Sequence, residues 1–151
     1  MATRRALTSV LSTFLGTYVS RYSDYDGYWL FGFLVDGTEE LRIDLLDETA
    51  FAVDSPAGLA RRSATTKFAE QCKKAGIVRS QLNEATLTIT RLPGKTRGPV
   101  NGRPTDGYQL QFVAVAVTDL GRRFARDRTV FVAPHDPAVE LRSARAGEGA
   151  G

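Results

Sequence analysis

The sequence predicts an α+β domain in which a mostly antiparallel sheet of about six strands carries two helices on one face. Three observations lead there. Apolar periodicity runs in the order helix, three strands, helix, three strands. Turns inside each strand group imply antiparallel pairing. The chain has 151 residues, 42% hydrophobic and 25% charged, a globular composition. A domain of that length buries roughly 70% of its unfolded surface.

Leu7, Val10, Leu11, Phe14 and Tyr18 recur at three- and four-residue steps, the stripe of an amphipathic helix with Thr3 as candidate cap. Gly16 and the strand formers after it place the end of this helix near residue 15, with a strand from Thr17 to Tyr22. Ser23-Asp24-Tyr25-Asp26-Gly27 has the chemistry of a turn. Tyr28 to Val35 is apolar on both alternating faces, as in a covered central strand. Asp36-Gly37 is a hairpin signal, and Glu39 to Leu46 alternates as the returning strand. Ser55-Pro56 resembles a cap followed by a first helical residue, and Ser63 is a second cap candidate before a helix over 64–75 that Gly76 would stop. Three further strands are expected at 85–92, 108–117 and 128–133. The linkers 93–104 and 121–127 read as loops dense in cations.

Residues 1–142 are expected to form one domain and 143–151, which hold no large apolar residue, a flexible tail. One cysteine, Cys72, excludes an internal disulfide and fits a reducing, cytoplasmic setting. No run of eighteen apolar residues suits a membrane span, so a soluble protein is expected. Arg4-Arg5 precede an apolar stretch, but hydroxyls interrupt Thr8–Phe14 and no small-x-small site follows closely, so an export signal is not expected.

Four of the five tyrosines and the single tryptophan fall between Tyr18 and Trp29. Tyrosine and tryptophan join a large apolar face to a polar tip at low rotamer cost, which suits contact surfaces. Tyr22, Tyr25, Tyr28 and Trp29, with Asp24 and Asp26 accepting hydrogen bonds, therefore form the leading candidate surface for a protein partner or a second copy of the chain. Half-exposed sheets select the same residues for cross-strand packing, at about 0.2–1 kcal/mol per pair.

Net charge is +3 but unevenly spread. Over 36–54, seven acids stand against Arg42 alone, a net of −6. Over 91–128, eight cations stand against three acids, a net of +5. Those cations are Arg91, Lys95, Arg97, Arg103, Arg122, Arg123, Arg126 and Arg128, and they supply the alternative function of binding nucleic acid or another polyanion. The loops that carry them should lie at opposite ends of a shared strand and could edge a groove along it, with nearby aromatics stacking unpaired bases. Alternatively, the acidic and basic blocks face each other and partly cancel.

Catalytic and metal motifs fit poorly, and no cofactor is expected. A calcium loop on Asp24 and Asp26 would need a carboxylate where Phe33 stands. Gly94-Lys95-Thr96 resembles the end of a phosphate-binding loop, but Ile89 occupies the required glycine and no helix signal follows. Asp44, Asp47, Glu48 and Asp54 could offer oxygens to Mg²⁺, yet a solvated hairpin rim uses the same residues. One cysteine and one histidine, His135, cannot close a four-ligand zinc site. Cys72 lies on an apolar stripe, and a dyad with His135 is a weak alternative to a core thiol. A third reading, a small acid/base enzyme, rests on Asp24, Asp26 and His135.

Overall fold

The computed structural model of the chain describes residues 4–20, 40–47, 56–93, 96–100 and 103–132. Two helices, α1 (Arg4–Ser20) and α2 (Pro56–Ala75), accompany five strands among these residues: β1 (Glu40–Asp44), β2 (Leu82–Arg91), β3 (Thr96–Val100), β4 (Arg103–Thr118) and β5 (Arg123–Val132). All strand pairs are antiparallel. The main sheet has four strands in the order β1-β2-β4-β5. β3 pairs with the first five residues of β4, Arg103–Gly107, and makes a two-stranded ribbon beyond that sheet.

The α+β class, the antiparallel sheet and the two helices match expectation; five strands fall among the described residues, against about six expected along the whole chain, and several boundaries differ. Helix α1 continues to Ser20 instead of ending near residue 15. Thr17–Ser20 are helical because Leu15, Tyr18 and Val19 prolong the stripe begun by Leu7, Val10, Leu11 and Phe14, and all seven are buried. Helix α2 starts at Pro56, as Ser55-Pro56 suggested, and runs through Ser63 without a break. Ala60, Ala64, Phe68 and Cys72, one turn apart and buried, carry a single stripe across that position. The linker 93–104 contains β3 instead of a plain loop, and β5 begins at Arg123 instead of Arg128. The expected strand at 28–35 and the turn at 23–27 lie outside the described residues.

Two turns have clear local causes. Gly76, at φ +72°, ends α2 in a Schellman arrangement: the Ile77 amide donates to the Cys72 carbonyl at 2.9 Å and the Gly76 amide to Lys73 at 3.2 Å. The β4–β5 turn is closed by the Gly121 amide donating to the Thr118 carbonyl at 2.9 Å and the Arg122 amide donating to the Thr118 hydroxyl at 3.1 Å. Gly121 sits there at φ +81°, a conformation glycine adopts without steric cost.

One core joins the helices to the sheet. Leu41, Ile43, Leu87, Ile89, Leu110 and Phe112 are buried on one sheet face together with Ala85, Ala114 and Ala116, whose small side chains let the helices approach closely. Alternation turns Thr86, Thr88, Thr90, Val113, Val115 and Val117 to the other face, where they are half-buried. Phe14 meets Phe68 of α2 edge-on at 5.6 Å and Tyr18 at 5.8 Å, and Tyr18 meets Phe112 of β4 at 6.1 Å. The Tyr18 hydroxyl, buried, donates to the Ala60 carbonyl at 3.3 Å.

Substitution should separate the two contributions of this aromatic chain. Phe14→Ala should cost about 3–5 kcal/mol in urea denaturation by leaving a cavity. Tyr18→Phe, which removes one hydrogen bond, should cost about 0.5–1.5 kcal/mol.

Burial also pushes the Cys72 thiol from 9.0 up to about 11, and raises the Tyr18 hydroxyl further still from its ordinary value of 10.0. Each group keeps its proton in the folded state where the unfolded chain has lost it, so each contribution to stability is present below the unfolded pKa and lost as pH rises. The midpoint of urea denaturation should fall from about pH 9 to about pH 11 through Cys72, and Cys72→Ala should remove that part of the fall. A midpoint that stays level over this window in the wild-type chain would contradict the assignment.

Candidate polyanion interface

The register of β4 decides which sheet face each arginine of β5 occupies. Phe112 opposes Arg128, Ala114 opposes Arg126 and Ala116 opposes Phe124. Those three β4 residues are buried beneath the helices, so Arg126 and Arg128 rise on the helix side of the sheet. Val113 opposes Asp127 and Val117 opposes Arg123, which sends Asp127 and Arg123 to the other face.

Helix α1 packs beside β5 on that side. It contains no acidic residue, and its exposed positions among the described side chains are Ser9, Ser12, Thr13 and Thr17. Arg126 donates from Nε to the Ser12 hydroxyl at 3.2 Å. That bond uses one of the five guanidinium donors and leaves the two terminal nitrogens, the pair that matches phosphate or carboxylate geometry. A Cβ built on Gly16 would lie 3.8 Å from Nη1 of Arg128, so the helix backbone gives that guanidinium room. Both arginines are exposed. They sit on an edge strand whose outer side has no pairing partner among the described residues.

The other expected cations spread along β4. Arg122 and Arg123 are exposed at the β4–β5 turn. Arg91 is half-buried at the opposite end of the sheet, its guanidinium carbon 5.2 Å from the Tyr108 ring centroid in a cation–π contact. Arg97 stands opposite Asp106 in the ribbon, and Arg103 opposes Val100. Lys95 lies outside the described residues. The described cations do not form one patch. Arg126 and Arg128 share the helix side of β5, Arg122 lies at the β4–β5 turn, and Arg91 lies toward the other end of the sheet, opposite Leu110. Sequence reading placed Arg126 in a loop and had no signal for the role of Ser12.

The acidic block lies across the sheet. Glu40 and Asp44 are on β1, the opposite edge of the main sheet from β5. At roughly 4.8 Å per strand, three steps separate the edges by about 14 Å. That exceeds the Debye length of about 8–10 Å near physiological salt. Arg126 and Arg128 on β5 therefore do not face Glu40 and Asp44, whereas Arg91 on β2 follows Thr90, the residue paired with Glu40. Asp44 accepts from the Leu46 amide at 3.0 Å and closes its own turn. Arg42 meets Glu84 at 3.6 Å, both well exposed, a pair of little energetic weight.

Among the described residues no group of three or more His, Cys, Asp or Glu is placed to hold a metal ion, and no helix is long and apolar enough to cross a membrane. Cys72 keeps its proton at neutral pH and is buried, which makes it a poor nucleophile there. Tyr22, Asp24, Tyr25, Asp26, Tyr28, Trp29 and His135 lie outside the described residues. Comparison with known proteins finds no matching family model, no similar curated protein and no matching solved structure.

Proposed function

We propose that the chain is a non-enzymatic binding domain whose working surface is the α1–β5 face and whose partner is a single-stranded nucleic acid. The observation that carries this reading is the pairing of Arg126 and Arg128 with a helix that has hydroxyls and no carboxylate on its exposed side. Arginine fixed by a neighbouring hydroxyl loses less rotamer freedom when a phosphate arrives. Arg122 extends the cationic track toward the turn, and Ser and Thr hydroxyls add neutral donors for phosphate oxygens. The affinity is electrostatic in origin and insensitive to base sequence.

Fluorescence anisotropy with a labelled single-stranded oligonucleotide tests this reading across a salt series. Log affinity should fall linearly with log salt, by about 0.7 per phosphate neutralised. Arg126→Gln with Arg128→Gln should flatten that slope by roughly 1.4 and weaken all base sequences alike. Arg42→Gln, on the far edge, should leave binding unchanged. Absence of binding at low salt, or a double variant with the wild-type slope, ends the proposal.

A further inference from the structure

A cavity of about 700 Å³ opens on the other side of the domain, between the C-terminal half of α2, the end of β1 and the start of β2. Its size falls in the range of roughly 300–1,000 Å³ that small-molecule sites occupy. The floor is apolar and belongs to the core: Leu45, Phe68, Cys72, Ile77 and Leu82 line it and are all buried. Val78, 57% exposed, also lines it.

The charged lining is unequal. Arg62, Lys73 and Arg79 border the cavity, with Asp47 as the one carboxylate among its described lining residues. Lys73 lies in the last turn of α2, where a cation also offsets the negative end of the helix dipole. The two arginines are not tied to that role. Arg79 donates from Nη1 to the Leu82 carbonyl at 2.9 Å, which holds its guanidinium against the cavity wall with other donors left over. The walls are stiff for local reasons. The Schellman turn at Gly76 sets Ile77 against the helix end, and the Val78 amide donates to the Gln81 side chain at 2.9 Å to start the 3₁₀ turn Arg79–Gln81 that carries Arg79.

We infer that this cavity binds a small amphipathic anion, a carboxylate with an unbranched or aromatic apolar body, the body on the Phe68–Leu82 floor and the head group against Arg62 and Arg79. A purely apolar guest would leave the arginines without use, and a small inorganic anion would leave the apolar wall without a contact. Charge and apolarity together select a molecule that has both ends. This site shares no residue with the α1–β5 face, so the two proposals stand or fall separately.

Calorimetric titration of the full chain with octanoate, decanoate and dodecanoate tests the floor. Each added methylene should tighten binding by up to about fourfold until the cavity is full. Decanoate against decanol tests the head group: Arg62→Gln and Arg79→Gln should each weaken decanoate several-fold and leave decanol unchanged. Ala69→Trp fills the cavity from an exposed helix position, so it should abolish decanoate binding and keep the wild-type circular dichroism. The inference is overturned if decanoate does not bind, if affinity is flat along the chain-length series, or if Ala69→Trp leaves decanoate binding unchanged.

Discussion

Helix α1 is held by a run of aromatic rings, and the geometry of both candidate surfaces depends on it. Phe68 of α2, Phe14 and Tyr18 of α1 and Phe112 of β4 follow one another at centroid separations of 5.6–6.1 Å, mostly edge-on or tilted. Edge-to-face rings add about 0.5–1.5 kcal/mol per pair beyond the area they bury, and they resist sliding because an offset ring loses the favourable contact. The Tyr18 hydroxyl fastens the same run to the Ala60 carbonyl. A buried phenol needs such a partner, so this bond fixes where α1 may sit along α2. The consequence on the outer side is that Ser12 and Gly16 come opposite Arg126 and Arg128. The consequence on the other side is that Phe68, gripped by Phe14, presents the cavity floor.

How far this was legible from the chain can be judged residue by residue. The helical stripe through Phe14 was plain; its continuation through Tyr18 and Val19 was not, because Thr17, Tyr18 and Val19 are strand formers. Intrinsic propensities differ by less than about 0.7 kcal/mol per residue, whereas burying an aliphatic side chain such as Val19 contributes about 1.5–3 kcal/mol. Tertiary contact wins that comparison, and it is invisible in a local window. The ribbon of β3 with β4 was hidden by Pro99 and Pro104, which stand opposite each other. Proline is tolerated on such edges, and Asn101-Gly102, which separates the paired Val100 and Arg103, was the hairpin signal available. Arg126 and Asp127 read as loop, with Arg128 opening the strand, because charged residues there follow Gly121 without an apolar alternation. On an edge strand they are ordinary, since charged side chains there discourage pairing with other sheets.

The candidate site was legible in part for a related reason. Sequence identifies which residues are cationic, and a run from Arg122 to Arg128 is conspicuous. It does not show which of them share a face. That is a matter of register, and a one-residue slip between β4 and β5 would exchange Arg126 and Arg128 for Asp127. The contact partners are further off still: Ser12 is 114 residues from Arg126 in sequence. The tyrosine-rich segment remains, on composition, the basis for a protein contact; its residues lie outside those described.

The distribution of charge bears on why a single domain could keep two unlike surfaces. Cations line β5 and the α2 cavity, and the described carboxylates of β1 lie on the far edge of the sheet from β5. A polyanion approaching the protein would be drawn to the β5 side, where Arg126 and Arg128 stand clear of the β1 carboxylates. The α2 cavity discriminates differently. Its cations are few and its floor is apolar, so a nucleic-acid strand with no apolar tail gains little there, whereas an amphipathic anion gains on both counts. The two selections are made by different side chains, because neither surface borrows a residue from the other.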